Sequence, residues 1–303
     1  MDENRYRPEA LATLYDLEPD LREVIVEGRV DSYFYQWFLD CAGLDNQVQV
    51  FAVKDRVLIE DSTVIEHGHF TGARGCVVTV AEIVNNVAPS QKTAVFIADA
   101  DYGPIGEDPY PDFSNLLYTD YGSLEVYAFN ARTMEKILRV ILRVPRSIST
   151  EKIMSGIIEA LKGVFIARLA VRSAPGGASL IKKYADCCTM SDGALKLDYE
   201  SLLKRSFSSV EKVDREGWDD SRLKKNYLDL IGREVSDVRV MMSGHDLSSL
   251  LIRYLKIAAP QVFKEDRKGF ENSDTMERSL VGALEHSDVS YEPLFVELLS
   301  RFS

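Results

Sequence analysis

Two apolar runs in this chain end in carboxylates. Val24-Ile25-Val26 leads into Glu27 and Gly28, with Asp31 close behind, and Val95-Phe96-Ile97-Ala98 leads into Asp99 and Asp101. A short apolar run bounded by turn residues reads as a buried strand. Acids at the C-terminal ends of neighbouring parallel strands meet at the rim where open α/β sheets hold their ligands. Two carboxylates about 4 Å apart repel by roughly 4 kcal/mol at an effective dielectric of about 20. Such a cluster takes up a proton or is neutralised by a cation. Oxygen-only ligands favour a hard ion, Mg²⁺ or Mn²⁺. A cation so held suits phosphodiester hydrolysis, because it activates a water and steadies the developing oxyanion.

The surrounding pattern supplies elements to position these acids. Residues 21–130 alternate strand and helix, the mark of an α/β layer with parallel pairing. Strands are expected up to Glu27, over Val48 to Ala52, Arg56 to Glu60, Thr93 to Ala98 and Leu116 to Thr119. Helices are expected from Asp31 to about Cys41 and from Gly72 to Val87, and a third is capped by Ser123. Tyr102 to Asp112, with Gly103-Pro104, reads as a turn-rich loop. From about 131 to 232 the pattern is helical, with long helices over Glu151 to Arg172 and Trp218 to Ile231. Val238 to Met242 reads as a strand that returns to the sheet, followed by a helix from Leu247 to Lys256. Two further helices, near 273–286 and 291–302, close the chain. The expected organisation is a core of residues 1–130 and 236–260, a basic helical insert over 131–235, and C-terminal helices over 261–303.

Composition bounds the setting. The chain has 303 residues, enough for a large buried core, and is 46% hydrophobic and 28% charged, ordinary for a globular protein. The polar start Met1-Asp2-Glu3-Asn4 does not read as a signal peptide, and no apolar run approaches a membrane span. Cys41, Cys76, Cys187 and Cys188 offer no CxxC pair, so the expectation is reduced thiols in a cytoplasmic protein rather than zinc. The net charge is −12, yet residues 130–185 carry 11 basic side chains against 3 acidic ones. Arg132, Lys136, Arg139, Arg143 and Arg146 are spaced for one helical face, with Pro145 ending the helix. A solvated face is the ordinary reading of such a stripe. The local scarcity of acids equally suits an RNA backbone or an acidic partner.

The acidic motifs in their order resemble the metal site of TOPRIM proteins: topoisomerases, primases and OLD-type nucleases. Thr119-Asp120-Tyr121-Gly122-Ser123-Leu124-Glu125 and Ser243-Gly244-His245-Asp246-Leu247 extend the likeness to a TOPRIM-related family found beside ATPases in bacterial anti-phage operons. It covers roughly residues 20–260. The resemblance implies a TOPRIM-like, mostly parallel sheet flanked by helices. It implies Glu27 as first metal ligand and acid/base, Asp99 and Asp101 as paired ligands, and Asp31 and Glu125 completing the site. His245 matches a motif position, with its role left open between holding phosphate and steadying a leaving oxygen. The resemblance further implies a toxin held inactive by a partner ATPase. It also implies that a phage anti-restriction protein would trigger release, after which the toxin would act as a homodimer on host tRNA. No topoisomerase cleavage domain, primase zinc module or Walker A pattern is present, so any ATP use belongs to another chain.

Each residue also has a structural reading. Asp31 suits a helix N-cap, Glu125 a first helical turn, Asp99 and Asp101 a strand exit, and His245 a turn. His67 and His69 flank Gly68 with no third soft ligand near them, and read as loop residues. Two other functions compete with an RNA-cleaving toxin: an OLD-like DNA nuclease subunit, and a non-catalytic subunit that binds an ATPase.

Overall fold

The computed structural model describes residues 5–89, 93–105, 111–174, 179–208 and 219–302. In chain order the elements begin with α1 (Pro8–Leu17), β1 (Glu23–Val26), α2 (Arg29–Cys41), β2 (Gln49–Ala52) and α3 (Val53–Arg56). Then come α4 (Asp61–Glu66), α5 (Ala73–Val87), β3 (Ala94–Ala98), β4 (Leu116–Tyr118), α6 (Ala131–Lys136) and α7 (Thr150–Arg172). The chain continues with β5 (Cys188–Ser191), β6 (Ala194–Leu197), α8 (Tyr199–Phe207), α9 (Asp220–Ile231) and α10 (Gly244–Ala258). It closes with α11 (Ser273–Ala283), α12 (His286–Val289) and α13 (Pro293–Ser300). Two compact units result, Met1–Leu124 with Glu285–Ser303, and Glu125–Leu284.

The first unit is an α/β layer. Its four strands pair in the order β2-β1-β3-β4, and every pairing is parallel. β1 and β3 are central and buried throughout, which is why each reads as an unbroken apolar run. Alternation sends Ile25, Ala94, Phe96 and Ala98 into one core with Leu11, Tyr15, Val77, Val80 and Val84 of α1 and α5. Val24, Val26, Val95 and Ile97 face the other way. On that side α2 lies against β1 and β2, and its Tyr35 stacks on Phe295 of α13. Glu23, buried at the start of β1, is fully partnered. Glu23 takes two hydrogen bonds from Arg56, at 2.6 and 3.0 Å, and a third from the Tyr15 hydroxyl at 2.8 Å.

Two expected strands are absent. Residues 53–56 form a helical turn, and beyond it only Val57 makes an isolated bridge, to Tyr6. Val238–Met241 is a 3-10 turn capped by Asp237, whose Oδ1 accepts from the Arg239 amide at 2.9 Å. The described sheet therefore takes no strand from that segment. Residues 106–110 of the expected loop and Trp218 of the expected helix lie outside the described residues.

The second unit packs around α7. Gly156 of this helix lies against Tyr254 of α10 and the Gly193 carbonyl, where a Cβ would stand 2.6 and 2.9 Å from them. An antiparallel hairpin, β5-β6, lies within the segment expected to be helical, and its turn residues Asp192 and Gly193 both have positive φ. The four cysteines are all free. Among the described residues no helix is long and apolar enough to cross a membrane.

The Ser243-Gly244-His245-Asp246 motif starts α10. Ser243 Oγ accepts from the Asp246 amide at 3.2 Å, the ordinary N-cap bond. Asp246 is fully buried and paired with Arg168 at 2.6 Å. Gly244 is required by close approach, because a Cβ there would overlap the Glu125 side chain. Gly244→Ala should destabilise the protein by about 1–3 kcal/mol, the usual cost of overpacking. Adding Glu125→Gly, which removes the overlapping Cβ as well as the carboxylate, should recover part of that loss in a denaturant titration. Two additive losses would contradict this account of the motif.

Candidate functional site

The site begins with strand register. Val26 pairs with Ile97, so β1 and β3 end side by side and release Glu27 and Asp99 at one rim. The chain passes from β1 to β2 on one flank and to β3 on the other, so this rim is also the topological switch point of the sheet.

The loops that leave the strands are braced by specific bonds. The Asp99 amide donates to Glu27 Oε1 at 2.8 Å, which ties the two strand exits together. The Gly28 amide donates to Asp31 Oδ2 at 2.9 Å, so Asp31 sits at N3 of α2 and folds back over the glycine. The Ala100 amide donates to Thr119 Oγ1 at 2.8 Å, and Thr119 in turn donates to the Tyr121 carbonyl at 2.6 Å. Asp101 adopts φ 48°, a left-handed conformation that Asp tolerates better than most residues. Its Oδ2 lies 3.4 Å from Arg74 Nη1 at the start of α5. Asp120, next to Thr119, accepts from the Leu294 amide at the start of α13.

A small pocket lies between these exits, lined by Val26, Glu27, Asp31, Tyr35, Ile97, Ala98, Asp99, Thr119 and Leu124. Burial pushes the Glu27 carboxyl up from 4.5 to about 7. The Asp99 amide works against that rise, Asp101 and Asp31 add to it, and Arg74 opposes it. Glu27 is thus poised between its two protonation states near neutral pH. Tyr35 is 2% exposed and its hydroxyl has no hydrogen-bond partner among the described residues. Burial, followed by the fields of Asp31, Asp99, Asp120 and Glu27, holds that phenol well above its usual range. It is therefore a neutral donor. Leaving such a group unsatisfied costs about 1–3 kcal/mol.

Four of the sequence-selected acids, Glu27, Asp31, Asp99 and Asp101, are therefore close enough to act on one another or to share the pocket. Their donor chemistry is oxygen only, which suits Mg²⁺ or Mn²⁺. Among the described residues, however, no three His, Cys, Asp or Glu side chains already stand as a ligand shell. Glu27, Asp31 and Asp101 each have an oxygen that meets a protein donor. Glu125 and His245 belong to the second unit. Glu125 packs on Gly244, while His245 Nδ1 lies 3.0 Å from Glu277 Oε1, and that bond raises the imidazole above its ordinary value. His67 and His69 both contact Glu82, at 3.1 and 3.0 Å.

The basic stripe does not form one helical face. α6 ends at Lys136, and Ile137–Ile141 is π-helical. Arg143 then turns left-handed at φ 54°, ahead of Pro145. Arg139 is bound to the carbonyls of Val144, Pro145 and Ile148 at 3.0, 3.0 and 2.9 Å, and to Glu135 at 3.0 Å. Lys136 donates to the Ala283 carbonyl, and Arg143 pairs with Asp266 at 3.2 Å. Arg132 and Arg146 are exposed on an open groove beside Ser149 and Glu151 at the start of α7.

Reading the sequence singled out the acids but missed Tyr35 and Arg74. Tyr35 lies one helical turn beyond Asp31 and so shares its face, a signal that was present. Arg74 carried none beyond its position after Gly72. No family model matches the chain, and no curated protein is significantly similar to it.

Two outcomes follow. Glu27 gains stability from protonation on folding; that contribution is complete below about pH 4.5 and lost as pH rises through about 7. In cation-free buffer Glu27→Gln, which keeps an acceptor for the Asp99 amide, should raise Tm more at pH 8 than at pH 5. A fall in Tm that is equal at both would contradict the buried-charge account. Arg139→Ala should cost about 2–4 kcal/mol in a denaturant titration, since charged hydrogen bonds to carbonyls are lost. Arg146→Ala, at an exposed position, should cost within about 0.5 kcal/mol. Equal effects would contradict the separation of the two arginines.

Proposed function

We propose that this chain is a divalent-cation-dependent phosphodiesterase of the TOPRIM type, a nuclease. Within that class the reading we favour is the toxin effector of an anti-phage system, similar to AriB of the PARIS system. It would be held by an AriA-like ATPase and act on host tRNA once a phage anti-restriction protein triggers release, as a homodimer. The observation that carries the nuclease reading is Glu27. It stands at the parallel switch point, and burial, with Asp101 and Asp31 adding to it, raises its pKa to about 7. A structural carboxylate would be expected to resemble Glu23, which has Arg56 and Tyr15 as partners.

Mg²⁺ or Mn²⁺, when bound, supplies positive charge for the phosphoryl oxygens and for the developing oxyanion. Glu27 would be the first residue to hold it, with Asp31, Asp99 and Asp101 beside it. With a cation held there Glu27 would stay ionised, and its oxygen not bound to the cation would accept the proton of an attacking water as the P–O bond to the leaving oxygen breaks. The Asp99 amide keeps one Glu27 oxygen fixed during that transfer. Arg74 holds Asp101 beside it. Arg132 and Arg146, both exposed on the groove at the start of α7, are suited to a nucleic-acid backbone, and Arg139 has a lesser part because its guanidinium is held by three backbone carbonyls.

Glu27→Ala should abolish toxicity and reduce RNA cleavage by at least about 10²-fold, the scale of lost acid–base catalysis. The variant should keep its fold by circular dichroism. RNA-end sequencing after induced expression reads the outcome. Ends in tRNA that vanish with Glu27 support the proposal. Wild-type cleavage in the variant would end the mechanism. Cleavage of DNA alone would favour the OLD-like nuclease, and no cleavage of either with ATPase binding intact would favour the non-catalytic subunit.

A further inference from the structure

We infer that Tyr35 is a positioning residue of the acidic pocket, its hydroxyl donating a hydrogen bond to a single water held between Glu27, Asp31 and Asp99. This deepens the nuclease reading and rests on it. Three observations carry it. The Tyr35 hydroxyl is buried, with no partner among the described residues, and the ring lines the same pocket as the three acids. A buried phenol seeks an acceptor, and none is supplied by the protein. The pocket has room for about one water-sized particle, close to 10 Å³. Glu27, Asp31, Asp99 and the Tyr35 hydroxyl give a water there polar partners, whereas a phosphate group is too large to enter whole.

The placement follows from the helix. Asp31 and Tyr35 are four residues apart on α2, one turn along the same face. Asp31 folds back to the Gly28 amide at the rim, and Tyr35 lies one turn deeper. The ring cannot swing away easily, because it stacks on Phe295 at 5.7 Å and meets Phe34 edge-on at 5.8 Å. The hydroxyl is thus fixed as a donor while the acids around it offer only acceptors when ionised. A water between them can accept from Tyr35 and donate to two carboxylates. A cation drawn to those carboxylates would find one water already oriented.

The test uses the full chain at pH 8 with Mn²⁺ as the probe, followed by electron paramagnetic resonance. Wild type, Tyr35→Phe and Glu27→Gln are titrated with Mn²⁺ alone and with Mn²⁺ plus dimethyl phosphate, and cation-free Tm is recorded for each. The expected result is that Tyr35→Phe lowers the cation-free Tm by no more than one hydrogen bond's worth and weakens Mn²⁺ binding about tenfold. A purely structural hydroxyl would lower Tm but leave Mn²⁺ affinity unchanged, which would overturn the inference. An effect seen only with dimethyl phosphate would also overturn the water assignment, since the acceptor would be a phosphate oxygen. If wild type binds Mn²⁺ and Tyr35→Phe binds it equally well, the Tyr35 role fails while the acidic site stands. If wild type binds no Mn²⁺, or Glu27→Gln binds it as wild type does, the site reading fails and takes this inference with it.

Discussion

The parallel, in-register pairing of β1 with β3 is the constraint on which the rest of the first unit depends. Val26 opposite Ile97 makes the two strands end together, and the next residues on both are acids. A one-residue slip would invert the faces of β1 and separate Glu27 from the Asp99 amide. The alternating core on the two faces of the sheet opposes such a slip. Ile25, Phe96 and Ala98 belong with α1 and α5, while Val26 and Ile97 turn to the side of Tyr35. Apolar packing therefore sets the position of the acids, and the electrostatics of the rim is a consequence.

That consequence is unfavourable on its own. Glu27 is half-buried beside other acids, and one backbone amide and Arg74 offset only part of the cost. The same unit contains a carboxylate whose burial is resolved within the protein, Glu23 with Arg56 and Tyr15. The contrast between the two strand ends of β1 is informative. At the N-terminal end the charge is neutralised by a short ion pair. At the C-terminal end the charge is managed by a raised pKa. An unsatisfied Tyr35 hydroxyl stands at the same place. Local departures from full polar satisfaction are expected where a protein binds something, and here they gather at a switch point of the sheet.

The parts of the fold that were legible in the sequence are those with one strong physical signal. β1 and β3 are apolar runs because both faces are buried, and α2, α5, α7 and α10 follow Gly28, Gly72, Ser149 and Ser243 at their caps. Short apolar runs misled. Val238–Met241 carries three apolar residues, as a short strand would, but Asp237 closes it into a turn. The residues after Ala52 turn helical at once, so the run to Glu60 never extends beyond a single bridge. The Asp192-Gly193 turn signal for the β5-β6 hairpin was present and was outweighed by the helical pattern around it. The basic stripe failed for a backbone reason, since its helix gives way to a π-turn and then to a left-handed Arg143. In the site, the acids were legible by type and place. Their partners were not, because the Arg74–Asp101 contact and the unsatisfied Tyr35 hydroxyl depend on how helices lie against the sheet.

The central claim is that the carboxylates at the ends of β1 and β3 jointly hold one divalent cation. Anomalous diffraction from crystals grown with Mn²⁺ tests it most directly. The account expects a peak at the rim within about 2.0–2.3 Å of a Glu27 oxygen and of an oxygen from Asp99 or Asp101. A well-ordered rim with no peak, or a Mn²⁺ bound only elsewhere on the protein, would contradict it.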